Sequence, residues 1–222
     1  MRTPFIQSGR NRHAEAHGFS LIELLLALSL GIGLSGTILQ VLISESDLGL
    51  HVNRLLRERS VQQRTLALIR DDVQRASRIS ANPQLEQHAC SLAGRLPVLH
   101  LSTAAGPITY SVGAAPSTIW RGQVLMRCGP AFGLSGEPSV GSQPQNRVVL
   151  DGLAGTVLPW LQCSRLLNPG EQVLDLAGSS HHSVSACLQP STGLVAVRIE
   201  QDFPQSGRAM RVSSEQTLSN LI

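Results

Sequence analysis

Between Leu24 and Ser44 the chain carries 21 residues without a formal charge, drawn mostly from Leu, Ile, Val, Ala, Gly and Ser. That length suits a bilayer-spanning helix, and it exceeds the ~7–15 apolar residues of an ordinary secretory signal core. One carboxylate, Glu23, sits at the head of the run. An acid costs roughly 2.5–3.5 kcal/mol at mid-membrane depth and less near an interface, so its presence there points to a task. Arg2, Arg10 and Arg12 precede it with only Glu15 opposing. This excess of positive charge places the start of the chain on the cytoplasmic side.

The wording around Glu23 is His17-Gly18-Phe19-Ser20-Leu21-Ile22-Glu23-Leu24. It resembles the prepilin signal of type IV pilins and type II secretion pseudopilins, a short basic leader ending in Gly, then Phe-(Ser/Thr)-Leu-(Ile/Leu)-Glu and about twenty apolar residues. The resemblance covers residues 1 to about 45. It implies that a prepilin peptidase cuts between Gly18 and Phe19 and methylates the new Phe19 amine. It implies that Glu23 pairs with the amino terminus of a neighbouring subunit. It also implies an inner-membrane protein, single-pass, with its N-terminus cytoplasmic and its C-terminal domain periplasmic, which later reaches a pilus or the cell surface.

Proline is absent from Phe19 to Asn82, whereas eleven prolines fall from Pro83 onward. Proline in a helix interior costs roughly 3 kcal/mol, so this asymmetry predicts one long helix followed by a strand- and loop-rich domain. The expected divisions are a leader (1–18), a transmembrane or assembly half of the helix (19–44), an amphipathic half (45–80) and an exported β-rich domain (81–222). In the amphipathic half Leu48, Val52, Leu55, Leu66, Ile69, Val73 and Ala76 follow an alternating 4–3 spacing interrupted by Arg59 and Gln62. Such a stripe fits burial under the chain's own sheet better than a coiled coil, because the heptads run too briefly. Asp71 and Asp72 are adjacent and so point about 100° apart on a helix, and a solvated, arginine-rich face is the expected setting for them. Gly31-Ile32-Gly33-Leu34-Ser35-Gly36 matches the dinucleotide fingerprint, but no strand precedes it and it lies inside the apolar run. The small residues there allow close helix–helix approach.

After Pro83 the pattern shortens to strand length. Candidate strands are 98–101, 108–112, 119–121, 124–127, 147–150, 156–158, 184–188, 194–200 and 210–212, with a hairpin turn at Arg121-Gly122-Gln123 and an exposed loop at 131–146. The order of Tyr110, of Ile119-Trp120-Arg121-Gly122-Gln123-Val124-Leu125-Met126-Arg127 and of Leu150-Asp151-Gly152-Leu153 is similar to that of W-type minor pilins and of J-type minor pseudopilins of type II secretion. The expected fold is therefore α+β and pilin-like, a long N-terminal helix packed on antiparallel sheet.

Cys90, Cys128, Cys163 and Cys187 all follow the apolar run. An even count on an exported side favours two disulfides, and the absence of a Cys-x-x-Cys pair disfavours zinc. Three pairings are possible, and Cys90–Cys128 with Cys163–Cys187 close the shorter loops. The formal net charge is +3, and losing three Arg and one Glu with residues 1–18 leaves +1, so nothing favours electrostatic capture of nucleic acid. No Gly-x-Ser-x-Gly elbow, Walker loop or His-Glu-x-x-His motif occurs, and His181-His182 in a Ser-rich loop does not make a metal site. No catalytic residue, metal or cofactor is expected, and the chain is not read as an enzyme. The resemblance implies a minor pilin-like structural subunit that primes or joins a type IV pilus after leader cleavage. Its partners would be prepilin peptidase, other pilins or pseudopilins, an inner-membrane assembly platform and the lipid bilayer. The alternatives are a type II secretion minor pseudopilin and, in another class, a signal-anchored periplasmic enzyme or binding protein.

Overall fold

Helix α1 (Leu21–Gln74) opens where the Ser20 carbonyl accepts hydrogen bonds from the amides of Glu23 (2.9 Å) and Leu24 (3.1 Å). The computed structural model describes residues 20–157, 159–160, 163–168, 170–205 and 208–219. These residues form two compact units that divide between Leu50 and His51. In the first unit every side chain from Leu21 to Gln40 is exposed, and this 20-residue stretch has a mean hydropathy of 1.9. It is long and apolar enough to cross a membrane, and a membrane anchor or a signal sequence both fit it.

In the second unit the last turns of α1 meet an antiparallel sheet. Leu66, Ile69 and Val73 are buried in the main core, at roughly 1.5–3 kcal/mol each. Val52 and Leu56 nearer its start are exposed. The helix stops at Gln74, six residues short of the expected Ser80. No Pro or Gly ends it; residues 76–79 are instead taken up as strand β1 (Ala76–Ile79), which pairs with β2 (Leu96–Thr103), and the Ser80 amide donates to the His100 carbonyl at 2.9 Å. Cross-strand bonds and the burial of Ala76 outweigh the weak helical preference of Ser77 and Ser80.

The meander continues through β3 (Gly106–Ala114), β4 (Gln123–Gly129) and β5 (Gln145–Leu153). A bulge between Pro97 and Leu99 accommodates the proline, which has no amide to give to the ladder. The chain then forms β6 (Leu174–Asp175), β7 (Val184–Gln189), β8 (Leu194–Gln205) and β9 (Arg208–Ser219), β8 and β9 pairing along their full length. The sheet order is β1-β2-β3-β4-β5-β8-β7-β6, with β9 on the other edge of β8. The two groups of strands meet at one residue pair, Leu153 opposite Gln201, reinforced by a hydrogen bond from Gln201 Nε2 to the Asp151 carbonyl.

Two expected strands are not formed. Residues 119–121 belong to the β3–β4 connection, where Ile119 is 78% exposed, the Trp120 amide turns back to the Ser117 carbonyl and Gly122 takes a φ of +58°. The expected tight hairpin at Arg121-Gly122-Gln123 is thus the end of an eight-residue loop between Ala114 and Gln123. Thr156 and Val157 lie outside any strand, and Leu158 lies outside the described residues. The loop after β4 is exposed as expected, and is braced by hydrogen bonds from Gly133 N to Glu137 O (2.8 Å) and from Ser139 N to Ala131 O (2.8 Å).

The cysteines join as Cys90–Cys128 and Cys163–Cys187. The first fastens the segment after β1 to β4. The second fastens residues after β5 to the back of β7, over a small second core of Trp160, Cys163, Leu167, Cys187 and Ala196. The bridges fit an oxidising compartment.

Candidate functional site

The residues marked by the sequence fall in separate places. Gly18 and Phe19 lie outside the described residues. Glu23 stands in the first turn of α1, exposed, the one acid in a span otherwise free of charge. Its position three residues after Ser20 is that of the acid in a capping box, and a carboxylate there also faces the positive end of the helix dipole. Two properties therefore meet at Glu23: a local one, as partner to free helix amides, and a long-range one, as a charge in apolar surroundings. The Gly31-to-Gly36 stretch is helical throughout, and an added Cβ at Gly31, Gly33 or Gly36 meets nothing within 4 Å. Packing among the described residues does not account for these glycines.

In the second unit the structure builds a polar constellation that the sequence reading placed elsewhere. Asp72 is not on a solvated face; it is fully buried on the stripe between Ile69 and Val73. Its Oδ2 accepts from the Tyr110 hydroxyl (2.5 Å) and from Arg127 Nε (2.7 Å), and its Oδ1 accepts from the second Arg127 nitrogen (3.0 Å). The remaining terminal nitrogen of Arg127 donates to the Pro130 carbonyl at 3.3 Å, and the guanidinium lies 4.6 Å from the Phe132 ring centre. Burial and the neighbouring Asp72 charge push the Tyr110 hydroxyl well above its usual range. Bonds to Asp72 hold Arg127 above its ordinary value against the opposing effect of burial. A carboxylate bound by a bidentate arginine and a tyrosine, and wholly shielded from solvent, is committed to those bonds. Its chemistry is that of a pin between α1, β3 and β4. Asp71, its neighbour, is on the surface and pairs with Arg75 at 2.6 Å, and Arg75 reaches Glu137 in the β4–β5 loop at 3.0 Å.

The same helix face carries two further buried polar residues. Gln62 donates to the Val212 carbonyl (3.1 Å) and accepts from the Ser214 hydroxyl (2.6 Å), which ties α1 to β9. The Thr65 hydroxyl lies 3.0 Å from the Val61 carbonyl of its own helix and 3.3 Å from the Val149 carbonyl of β5, and its one proton serves both. Gln62, read in the sequence as an interruption of the stripe, belongs to it. At the other end of the unit Arg121 meets Glu58 (3.3 Å) and Asp151 (3.5 Å), and its carbonyl accepts from the Gly152 amide at 2.7 Å. Gly152 holds a φ of +65°, a conformation that a side chain disfavours.

Among the described residues no group of three or more His, Cys, Asp or Glu is arranged to hold a metal ion. A groove of about 420 Å³ beside β9, lined by Leu66, Ala67, Arg70 and Glu215 among others, offers one cation and one anion at its edge. No known family, no curated protein and no solved structure matches the chain.

Proposed function

We propose that this chain is a minor, pilin-like structural subunit, anchored by α1 in the inner membrane, processed between Gly18 and Phe19 and passed from the bilayer into a type IV pilus fibre. The observation that carries the reading is Glu23, an exposed acid in the first turn of a 20-residue apolar span that no other part of the described chain covers. A plain anchor gains from that acid only what a first-turn carboxylate gives a helix end, about 0.3–1 kcal/mol, against an insertion cost that leucine does not bear. A fibre subunit can use it to set register, because a positive amine on a neighbouring helix is attracted strongly in a low-dielectric setting. An α+β unit with the end of a helix laid on antiparallel sheet, and two disulfides on the exported side, is consistent with this role.

Tyr110 and Arg127, which stand in the motif order shared with W-type minor pilins and J-type minor pseudopilins, converge on Asp72. The resemblance in motif order makes a type II secretion minor pseudopilin the second reading. The two differ in what is lost on deleting the gene: surface fibres, or secreted enzymes.

The test begins with the mass of the mature N-terminus, expected to start at a methylated Phe19. A protein that keeps Met1, or one cut after the apolar run, overturns the proposal. Glu23→Leu and Glu23→Gln are then compared for insertion, cleavage and recovery in sheared fibres or with copurifying pilins. Glutamine keeps the capping geometry and removes the charge. Both variants should be inserted and cut, and both should fail in assembly. Assembly by Glu23→Gln at the wild-type level would leave Glu23 a helix cap only.

A further inference from the structure

Two histidines of the second unit share one hydroxyl. His88, in the segment after β1, has its Nδ1 3.2 Å from Thr109 Oγ1, and His100 of β2 has its Nδ1 2.9 Å from the same atom. The two rings are 5.7 Å apart, edge to face. His100 is buried, His88 half-buried, and Thr109 is buried opposite Cys128 in the β3–β4 ladder. A hydroxyl carries a single proton, so it can donate to only one of the two Nδ1 atoms. At least one imidazole must therefore donate its own Nδ1 proton to the hydroxyl oxygen, whose two lone pairs can accept from both rings. At neutral pH at least one ring of the pair is protonated on Nδ1.

We propose that His88, His100 and Thr109 form an acid-released latch that holds residues 81–89 against the sheet while both imidazoles are neutral and frees them when the pair is protonated. The segment is suited to local release because both its ends are fixed. Ser80 is bonded to His100 at one end, and the Cys90–Cys128 bridge, with Asn146 bonded to the Ser91 carbonyl, closes the other. Between them lies the one-turn helix Pro83–Leu85, and Glu86 of the segment pairs with Arg78 of β1 at 3.2 Å. Protonating either ring fixes its Nδ1 as a donor and puts a positive charge in a site poorly supplied with water, which opposes the closed form. A second positive ring 5.7 Å away then adds repulsion.

The charged groups acting on His100 are Glu86, His88 and Arg78, and Glu86 is the one acting on His88; the 3-10 helix Leu176–His181, which packs on β2, carries His181 as its one titratable residue. Burial is the largest influence on both rings and lowers both from the ordinary histidine value, with Glu86 opposing it. A histidine lowered in the folded state supports the closed form fully above its ordinary range and loses that support as pH falls through the lowered value. Acid is therefore the releasing direction. Release uncovers the seat of Pro83, which is buried when the segment is closed. This holds whichever assembly the chain joins.

The experiment is hydrogen exchange on the full chain in detergent, disulfides intact, as protection factors at about pH 7.5 and about pH 5. The Asn82 and Leu85 amides, which donate to Ser80 and Asn82 respectively, should lose roughly tenfold or more in protection, while β7 and β8 keep theirs. Equal protection of the segment at both pH values overturns the latch, as does simultaneous loss across the whole sheet. The double variant His88→Phe, His100→Gln should show pH-independent protection of the segment, and acid release persisting in it also overturns the proposal. Should that variant not fold, long-range nitrogen–proton correlation on the wild type at neutral pH decides: at least one Nδ1-protonated ring supports the shared hydroxyl, and two Nε2-protonated rings, which a single hydroxyl proton cannot satisfy, refute it.

Discussion

Removing one partner of the Asp72–Arg127 pair should destabilise the second unit far more than removing both. Asp72 is 0% and Arg127 5% exposed at the side chain, so neither can recover its lost hydration when the other is deleted. Breaking such a pair costs about 3–5 kcal/mol, mainly because the survivor is left buried without compensation. Arg127→Met leaves Asp72 with the Tyr110 hydroxyl alone. Asp72→Leu leaves Arg127 with the Pro130 carbonyl and the face of Phe132. Independent effects would sum to roughly 6–10 kcal/mol in the double variant, comparable with the whole stability of a domain. The double variant instead removes both charges and leaves the Tyr110 hydroxyl without its acceptor, at about 1–3 kcal/mol, and the Pro130 carbonyl without its long 3.3 Å bond. Adding Tyr110→Phe removes the first of these defects, so the triple variant should return to within about 1–2 kcal/mol of the wild type.

The assay is thermal unfolding of the full chain in detergent under non-reducing conditions, followed by near-ultraviolet circular dichroism. For a unit of this size about 1 kcal/mol shifts the midpoint by roughly 2–4 °C. Each single variant should therefore melt roughly 6–20 °C lower, and the triple variant within a few degrees of the wild type. Single variants within about 2 °C of the wild type would show that the pair is not buried in solution. A triple variant worse than either single would show that Asp72 contributes net stability as a charge rather than as a specifier of register.

Tyr110 is the one tyrosine in the chain, so absorbance near 295 nm reports it alone. Its folded value is raised, hence its support is complete below about pH 10 and is lost as pH rises through the folded value; no phenolate should form above about pH 10 until the unit unfolds, and Tyr110→Phe should flatten the alkaline loss of stability. A freely titrating tyrosine at about pH 10 in the folded protein would contradict the buried bond to Asp72. Thiol labelling of the folded, unreduced protein should find no free cysteine. The bridges close loops with sequence separations of 38 and 24, so in the chain-entropy picture replacing either pair by Ala should remove roughly 3–4 kcal/mol, read as a lower melting midpoint. Two or more labelled thiols without denaturant would remove either bridge from the account.

Much of the frame was legible because it rests on local signals. The charge-free run and the proline boundary set the helix, and apolar alternation located β2, β3, β4, β5, β7, β8 and part of β9. What failed was decided by distant pairing. Residues 76–79 carry no helix-stopping residue, and become β1 only because β2 presents a free edge twenty-odd residues later. Residues 119–121 have strand-like side chains, but Arg121 is held across space by Glu58 and Asp151, which fixes the loop in another shape. The favoured cysteine pairing followed from loop length, a physical quantity that sequence does contain.

The polar residues of the helix face show where such reading stops. A 3.6-residue period fixes the direction of a side chain, and by that measure Gln62, Thr65 and Asp72 point with Leu66, Ile69 and Val73. The period does not say what the side chain meets. Gln62 finds its partners 150 and 152 residues away, Thr65 finds one 84 away, and Asp72 finds Tyr110 and Arg127 at 38 and 55. Aspartate is rarely buried without a cation, and the sequence supplies 18 arginines with no rule for choosing among them. One signal did exist. Arg127 lies within Val124-Leu125-Met126-Arg127-Cys128, a strand apolar on both faces, where a cation has no route to solvent and must meet an acid inside. Read from the arginine rather than the aspartate, the search narrows to acids on an otherwise apolar stripe. Asp72, between Ile69 and Val73, meets that condition, and Asp71, about 100° further round the helix, does not.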